Sequence, residues 1–377
     1  MHNLRDTKDG KKIDCADIIN IVEAAKIVGD KECVVVTGVT GQDGSHMVDY
    51  LLRNTDLLVI GCVRRLGVYN NCNISHIVSD KFRLVYFDLS DGNMISLLIE
   101  KLKPKYFINF AAQSFVGSSW DFALKTWDAN STAVLNILEA IRLYHPKCRF
   151  FQAGSSEEFG NVVSAPQNEM HPLYPRNPYG ASKVAARNLV RVWRDSYGLF
   201  AVQGWLYNHE GPRRGEEFVT RKIAKAVAKI YYAIKSSEAF NELLLGNIDA
   251  RRDWSLVDDI IDGIWRMLNN SEPKDYVLAS GEHHSIRDFV ETAFEYLGMQ
   301  GQWVGHGIDK VFICNTTAAR LVAINPKFYR PLEVGLLVGD PTRAKAELGW
   351  VPQVSFKGLV GIMVDAELQG NRNNHKK

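Results

Sequence analysis

Several features that would assign the chain to a special class are missing from its sequence. No uninterrupted apolar run is long enough to span a bilayer. Lys and Arg total 45 against 43 for Asp and Glu, and this even balance gives no general reason to expect a nucleic-acid or membrane surface. Residues 1–17 mix both signs of charge without an apolar stretch, so we expect no secretory signal.

Cysteine is also scarce. The six cysteines form no CxxC pair, and several lie in apolar runs that resemble strands. Reduced, buried thiols are therefore the expected state, and such thiols are typical of an intracellular compartment. We expect a soluble cytoplasmic protein that binds neither nucleic acid nor membrane.

What the sequence does contain is a regular alternation of short apolar runs and helix-like stretches. With 46% hydrophobic residues, the chain is too apolar for a disordered segment. The alternation predicts an α/β fold of the Rossmann type, a doubly wound parallel sheet with a smaller, partly interleaved C-terminal lobe that binds the substrate. The predicted strands span 33–36, 57–63, 82–87, 106–110, 149–152 and 200–205, and the predicted helices include 95–103, 129–144 and 181–197. We place an N-terminal extension at 1–30, the sheet domain at 31–206 and the substrate lobe mainly at 207–370.

A glycine-rich turn follows the first predicted strand. Gly38, Gly41 and Gly44 form a GxxGxxG pattern between that strand and the next predicted helix. Glycines there let backbone N–H groups and the helix N-terminus approach a pyrophosphate, so we predict a dinucleotide site. The second strand ends in Arg64 and Arg65, where an acidic residue would bind a ribose 2′-hydroxyl. Guanidinium groups suit a 2′-phosphate instead, which favours NADP.

The third predicted strand ends in Asp88 and Leu89. This pair is placed to meet the adenine ring of the dinucleotide. An aspartate there could equally cap the next helix, so both interpretations stay open.

Tyr179 and Lys183 lie four residues apart on a predicted helix, so their side chains share one face. A free tyrosine has a pKa of about 10, and bringing it near neutrality costs about 4 kcal/mol. The Lys183 ammonium one turn away and the positive charge of a nicotinamide can together supply that shift. The pair indicates a catalytic function here because it follows both the glycine turn and a strand that ends near Ser155.

With these motifs the chain resembles the extended short-chain dehydrogenases/reductases, and within them the GDP-mannose 4,6-dehydratase family. The resemblance runs nearly end to end after residue 33. The matching segments are 37–45, 111–114, 174–183, 208–210, 212–215, 218–223, 245–247, 251–254 and 329–334. The Thr-Gly-Gln-Asp-Gly-Ser and Asn-His-Glu…Arg-Arg-Gly blocks are more specific than the superfamily motifs and indicate a sugar nucleotide.

The resemblance implies a redox-neutral dehydration of GDP-D-mannose. Ser155 would hydrogen-bond the sugar hydroxyl that is oxidised, and Tyr179 as phenolate would take its proton while NADP accepts a hydride. Lys183 would hold Tyr179 ionised. Glu157 would remove the proton from carbon 5, after which Glu157 or Tyr179 helps the 6-hydroxyl leave as water and the hydride returns to carbon 6. Related epimerases carry no acid two positions after that serine, so Glu157 favours elimination.

The resemblance also implies two sets of binding residues. The cofactor set is Gly38, Gly41, Gln42, Asp43, Gly44, Arg64, Arg65, Asp88, Leu89, Ala111, Ala112, Tyr179, Lys183, His209 and Arg214. The substrate set is Gln113, Ser114, Asn208, Lys222, Arg252, Arg330 and Glu333. A homodimer or homotetramer is expected. His283 and His284 have no companion at ligand spacing, so we expect no metal site.

Three alternatives remain open at this point. Residues 66–69 and Trp120 depart from the usual family pattern, which leaves both the strictness of NADP preference and a related GDP-sugar such as GDP-manno-heptose undecided. A nucleotide-sugar epimerase on the same scaffold would not depend on Glu157. A non-catalytic NADP-binding module is disfavoured because Ser155, Tyr179 and Lys183 are all present.

Overall fold

The computed structural model describes residues 18–64, 72–328 and 336–374. Three residues of the predicted binding sets, Arg65, Arg330 and Glu333, lie outside the described residues, as do residues 66–69. In the part of the chain that is described, no helix is long and apolar enough to cross a membrane.

Strands and helices largely alternate along the first half of the described chain. The strands are β1 (Ile18–Ile19), β2 (Cys33–Thr37), β3 (Leu58–Val63), β4 (Phe82–Tyr86), β5 (Tyr106–Asn109), β6 (Arg149–Ala153), β7 (Ala201–Leu206), β8 (Asn208–Glu210), β9 (Leu243–Leu245), β10 (Arg251–Arg252), β11 (Trp254–Leu256), β12 (Tyr276–Leu278), β13 (His284–Ser285), β14 (Gly301–Val304), β15 (Val311–Cys314) and β16 (Arg320–Ile324). The helices are α1 (Ile21–Val28), α2 (Gln42–Asn54), α3 (Gly92–Leu102), α4 (Ala123–Trp127), α5 (Ala133–Tyr144), α6 (Pro178–Tyr197), α7 (Val219–Lys235), α8 (Val257–Asn269), α9 (Ile286–Tyr296), α10 (Thr342–Leu348) and α11 (Phe356–Asn374).

The predicted parallel sheet is confirmed. Eight strands form one large sheet in the order β1-β4-β3-β2-β5-β6-β7-β12. The strands at its centre are continuous apolar runs, such as the Val34–Val36 stretch of β2, because helices cover both faces of a parallel sheet. A four-stranded sheet (β14-β15-β16-β9) and two short pairs, β10-β13 and β8-β11, make up the rest.

The chain divides into two compact units that interleave along the sequence. One comprises Met1–Phe115, Asp121–Gln152 and Ala185–Val202, and the other comprises Val116–Trp120, Ala153–Val184 and Gln203–Lys377. The core of the first unit is built on β2, β3 and β5 with α3 and α5. The core of the second packs α7, α9 and α11 against β9 and β16.

Residues 18–30 take part in the first unit. β1 pairs in parallel with β4, and α1 buries Ile21, Ala24 and Val28 in the core of that unit. α1 begins with a complete capping box, in which the Asn20 side chain accepts from the Glu23 N–H and Glu23 accepts from the Asn20 N–H. This part of the N-terminal segment therefore extends the sheet and thickens the core.

The structure divides the helix predicted at 129–144. Residues 128–132 form a single π-helical turn, and α5 continues from Ala133. Turns of this kind insert one extra residue into a helix and are frequent beside functional sites. Here the turn places Asn130 where its side chain reaches the segment after β5.

Candidate active site

The glycine turn lies between β2 and α2, as predicted, and backbone packing requires glycine at two of its positions. Gly38 has a φ of +68°, and a Cβ there would lie 2.9 Å from the backbone nitrogen of Ala111. A Cβ on Gly44 would lie 2.3 Å from the carbonyl oxygen of Gly38. Gly41 is the N-cap of α2 and caps it with no side-chain hydrogen bond. The turn therefore offers a helix N-terminus open to an anion, which fits a dinucleotide pyrophosphate.

A buried chain of polar side chains crosses the carboxyl ends of β2, β5 and β6. Thr37 Oγ1 donates to Asn109 Oδ1 at 2.6 Å, and Asn109 Nδ2 donates to Gln152 Oε1 at 2.8 Å. The Ala111 N–H in turn donates to Thr37 Oγ1 at 3.0 Å. This chain fixes the segment of predicted binding residues that begins at Ala111, a function that the sequence analysis did not assign to Thr37, Asn109 or Gln152.

Asn130 holds the next part of that segment. Its Oδ1 accepts from the Gln113 N–H at 2.9 Å and its Nδ2 donates to the Gln113 carbonyl at 3.0 Å. Ala112 is half-buried and Ser114 is exposed. The backbone of the segment is thus anchored through Gln113.

The other predicted cofactor residues of the first unit differ in exposure. Gln42 is buried and donates through Nε2 to Asp43 Oδ1 at 3.1 Å, whereas Arg64 is exposed just after β3. Asp88 Oδ1 accepts from the N–H and the hydroxyl of Ser90, and Leu89 belongs to the hydrophobic core.

The structure settles which aspartate caps α3. Asp91 accepts hydrogen bonds from the N–H groups of Asn93 and Met94, so Asp91 and not Asp88 is the N-cap.

Ser155 and Glu157 share one tight turn directly after β6. Ser155 Oγ accepts from the Glu157 N–H at 3.2 Å, and the Ser155 N–H donates to Glu158 Oε1 at 2.9 Å, which forms a capping box over the 3₁₀ turn Ser156–Glu158. The cap uses a lone pair of Ser155 Oγ and not its proton. The hydroxyl is therefore suited to donate a hydrogen bond to a sugar oxygen.

Tyr179 and Lys183 are both buried near the start of α6. Lys183 Nζ donates to the Ala153 carbonyl at 2.8 Å and lies 5.7 Å from the centre of the Tyr179 ring. The carbonyl at the end of β6 thus holds the ammonium beside the tyrosine, where a positive charge favours the phenolate form.

The start of α6 packs directly on the turn that carries Ser155 and Glu157. A Cβ on Gly180 would lie 2.6 Å from the carbonyl oxygen of Glu157, so only glycine allows this approach. All four predicted catalytic residues are accordingly brought together within Ala153–Val184. This grouping supplies a hydroxyl donor, a carboxylate base and a tyrosine–lysine pair in one region.

His209 and Arg214 have partners within the second unit. His209 is buried, and its Nδ1 lies 2.7 Å from the Tyr207 carbonyl. A carbonyl only accepts, so Nδ1 carries the hydrogen. Arg214 forms an ion pair with the buried Glu210 at 3.0 Å and stacks on the Phe218 ring at 3.6 Å.

The predicted substrate residues of the second unit lie on β8, β10 and α7. Asn208 in β8 pairs with Trp254 in β11, which follows Arg252 by two residues. Arg252 is half-buried, and its Nη1 donates to the Arg251 carbonyl at 2.7 Å. Lys222 Nζ donates to the Leu244 carbonyl at 2.7 Å, and burial lowers the pKa of this ammonium.

Lys222 lines a cavity of about 530 Å³ beside α7. The charged residues of its wall are Glu216, Arg221, Lys222, Lys225, Lys229 and Glu242. Lys225 is ion-paired with Glu216. Basic side chains outnumber acidic ones here, which suits an anionic ligand.

Asp253, between Arg252 and Trp254, is a buried residue whose function no sequence motif predicted. Its carboxylate accepts from the N–H and hydroxyl of Ser280, from the Gly281 N–H and from the Gly339 N–H. Burial raises the pKa of this carboxyl while the hydrogen bonds oppose the rise. Asp253 thereby ties the strand that carries Arg252 to two distant loops.

The parallel sheet, the glycine turn and the tyrosine–lysine helix define the class as an extended short-chain dehydrogenase/reductase. A family model described as GDP-mannose 4,6 dehydratase matches residues 35–363. The chain belongs to this family.

Named relatives agree with the family match. The chain is 42% identical over 349 residues to the GDP-mannose 4,6 dehydratase of Drosophila melanogaster, covering 90% of this chain and 87% of that protein. Identity to the Homo sapiens protein of the same name is 41%, covering 91% and 93%. The Vibrio cholerae GDP-mannose 4,6-dehydratase is 37% identical, with 90% and 94% covered.

Solved structures share the fold. A dTDP-glucose 4,6-dehydratase from Bacillus anthracis in complex with NAD superposes with a TM-score of 0.73 at 20% identity, covering 90% of this chain and 98% of that chain. RMD from Pseudomonas aeruginosa complexed with NADPH gives a TM-score of 0.69 at 22% identity, covering 90% and 100%. The UDP-glucose 4-epimerase of Thermotoga maritima gives 0.74 at 22% identity, covering 90% and 99%.

Proposed function

We propose that the chain is a hydro-lyase that converts GDP-D-mannose to GDP-4-keto-6-deoxy-D-mannose with NADP as its cofactor. Membership of the family and 37–42% identity to named dehydratases over about nine-tenths of the chain support the reaction. The observation that carries the residue assignments is the packing of the Glu157 turn against the start of α6, because it groups a carboxylate with Tyr179 and Lys183.

The residues around the glycine turn fit a nicotinamide dinucleotide. Glycine is required at Gly38 and Gly44, and the N-terminus of α2 suits the pyrophosphate. Arg64 and Arg65 would bind the 2′-phosphate that distinguishes NADP from NAD. When bound, the cofactor accepts a hydride from carbon 4 of the sugar and returns it to carbon 6.

The chain's own residues move the protons. Ser155 Oγ orients the 4-hydroxyl, and the Tyr179 phenolate oxygen takes its proton while Lys183 stabilises the phenolate. The resulting 4-ketone acidifies carbon 5, so the Glu157 carboxylate can remove the carbon 5 proton. Glu157 or Tyr179 then supplies a proton to the 6-hydroxyl, which leaves as water, and the other of the two groups returns a proton to carbon 5. Each step prepares the next, which is why acid and base groups are needed in one place.

The nucleotide end of the substrate would be held by the second unit. Lys222 and Arg252 supply cations for the diphosphate, and Asn208 supplies an amide. The family resemblance assigns Arg330 and Glu333 to the same end, with Glu333 accepting from ribose hydroxyls.

We further propose that the chain acts in the cytoplasm as a homodimer or homotetramer. The cysteines of the described residues are all free thiols, which supports a reducing compartment. Burial raises the pKa of the Cys33 thiol to about 12, so this thiol is unreactive. The oligomeric state follows from the family resemblance.

The test is incubation of the purified chain with GDP-mannose and catalytic NADP⁺, followed by mass spectrometry of the nucleotide sugar. We expect loss of one water without net accumulation of NADPH. An unchanged mass with an altered sugar would favour an epimerase. Faster turnover of GDP-manno-heptose would reassign the substrate, and no reaction across a panel of GDP- and UDP-sugars would favour a binding module.

Two variants test the roles. Tyr179→Phe should abolish every step. Glu157→Gln should still oxidise carbon 4 but lose no water, and undiminished turnover in this variant would contradict elimination through Glu157.

A further inference from the structure

Asn177 makes two hydrogen bonds through the two ends of its side-chain amide. Nδ2 donates to Glu157 Oε2 at 2.9 Å, and Oδ1 accepts from the Gly180 N–H at 2.7 Å. The Asn177 carbonyl accepts from the Ala181 N–H at 3.0 Å, so this residue is the N-cap of α6. One amide therefore links the carboxylate of Glu157 to the helix that carries Tyr179.

The chemistry of the partners sets the direction in which the amide lies. The backbone N–H of Gly180 can only donate, so it requires Oδ1, and this leaves Nδ2 on the side of Glu157. A carboxylate needs a donor, which Nδ2 supplies. The helix cap therefore determines that Glu157 receives a donor rather than an acceptor.

The hydrogen bond from Asn177 Nδ2 to Glu157 Oε2, called the bridge below, restricts the Glu157 side chain. Glutamate has several rotatable bonds and loses considerable rotamer freedom when it is held in one place. With Oε2 held by Asn177, Oε1 accepts no hydrogen bond from any residue in the described part of the chain. Oε1 is accordingly the oxygen left to receive a proton from a ligand.

We infer that Asn177 is a positioning residue for the elimination step: its amide orients the Glu157 carboxylate so that Oε1 receives the proton of carbon 5. The inference rests on the proposed function. In that step the C5–H bond breaks, its proton goes to Glu157 Oε1, and its electron pair forms the C5–C6 double bond. The C6–O bond breaks at the same time, and the 6-hydroxyl leaves as water with a proton from Glu157 or Tyr179. Oxidation at carbon 4 involves Tyr179 and Lys183 and does not need the bridge.

Asn177→Asp separates the bridge from the cap. Aspartate caps a helix as well as asparagine does and has the same shape, but it presents an acceptor where Nδ2 donates. The variant should therefore fold, keep α6 capped and repel Glu157. Asn177→Ser is the second variant, because serine also caps but its hydroxyl lies one bond closer to the backbone than the amide nitrogen.

A matched control exists at another helix. Asn20 caps α1 with the same kind of hydrogen bond, to the Glu23 N–H at 2.9 Å, and contacts none of the predicted catalytic residues. Asn20→Asp and Asn20→Ser repeat the substitutions at a cap without the carboxylate bridge.

The experiment compares full-length wild type with these variants on GDP-mannose and NADP⁺. For Asn177→Asp we expect kcat to fall about 10- to 100-fold with KM within about twofold, and Asn177→Ser to fall less. In a single turnover NADPH should appear at the wild-type rate and then persist, because oxidation proceeds while loss of water is slow. The Asn20 variants should match wild type.

The outcomes separate the two proposals. A wild type that dehydrates GDP-mannose and an Asn177→Asp variant that does so equally fast would overturn the role of Asn177 alone. Slow appearance of NADPH in the variant would also overturn it, since the defect would then precede elimination. A wild type that removes no water from GDP-mannose would overturn the proposed function itself.

Discussion

Gln203 Nε2 lies 3.0 Å from both carboxylate oxygens of Glu158, and both side chains are buried. The same carboxylate accepts from the Ser155 N–H, so a glutamine in β7 acts through Glu158 on the turn that carries the proposed catalytic serine. Gly154 makes room for this arrangement, because a Cβ there would lie 2.5 Å from Gln203 Nε2. The pair thus holds the Ser155 turn in place through the Glu158 carboxylate.

Exchanging the two side chains should restore the stability that each single substitution removes. Glu158→Gln places an amide donor against the donor of Gln203 and should lower the free energy of unfolding by about 1–3 kcal/mol. Gln203→Glu opposes two carboxylates and should cost at least as much. The double variant Glu158→Gln/Gln203→Glu pairs donor with acceptor again and should recover at least half of the loss. Urea denaturation of all four proteins measures the coupling, and purely additive losses would contradict it.

The glycine turn should tolerate an added methyl group unequally. Gly44→Ala brings a Cβ to 2.3 Å from the Gly38 carbonyl oxygen, whereas Gly41→Ala brings one only to 3.2 Å from the same atom. Gly44→Ala should therefore lower the free energy of unfolding by about 1–3 kcal/mol and weaken NADP⁺ binding, with a smaller loss of stability for Gly41→Ala. The melting temperature without NADP⁺ measures the loss of stability, and its rise on addition of NADP⁺ measures binding. Equal melting temperatures for the two variants would show that the turn relaxes.

Lys222 should make GDP binding sensitive to alkaline pH. Burial lowers its pKa from the ordinary 10.5, so the ammonium loses its charge at a lower pH than an exposed lysine does. Affinity for an anionic diphosphate should fall as pH rises through that lowered value. Lys222→Arg should remove most of this fall because a guanidinium stays charged.

Calorimetric titration with GDP from about pH 7.5 to about pH 10 tests this expectation. Lys225→Arg is the control, since Lys225 is already ion-paired with Glu216. An identical pH dependence in wild type and Lys222→Arg would exclude Lys222 from the diphosphate site.

Arg64 should distinguish NADP from NAD. It is exposed at the end of β3, where a guanidinium can reach a 2′-phosphate. Arg64→Ala should weaken NADP⁺ about tenfold or more and leave NAD⁺ unchanged, since only NADP carries the extra phosphate. Arg53→Ala, at an exposed arginine of α2, is the matched loss of charge. Equal weakening of both cofactors in Arg64→Ala would argue against a phosphate contact.

The parts of the fold that could be predicted from the sequence are those set by neighbouring residues. β2, the glycine turn and α2 follow one another within 33–54, and the steric demand at Gly44 comes from the nearby Gly38 carbonyl, so the pattern predicted them. The close approach of Gly38 to Ala111 joins distant segments and is seen only in the structure. The sequence left open whether Asp88 caps α3, because any aspartate near a helix start can accept from free N–H groups. Asp88 is engaged by Ser90, which leaves Asp91 to cap.

Sequence spacing by itself determined that Tyr179 and Lys183 share a helix face, because the helical period relates residues one turn apart. The sequence pattern placed the start of that helix at residue 181, whereas α6 begins at Pro178 with Asn177 as its N-cap. Only the tertiary structure decided that Lys183 meets the Ala153 carbonyl, that Asn177 meets Glu157 twenty residues earlier and that Glu158 meets Gln203 forty-five residues later. Such bonds join segments that no local periodicity relates, and they form because the packing of β6, β7 and α6 brings these buried polar groups together, where forming hydrogen bonds offsets their loss of contact with water.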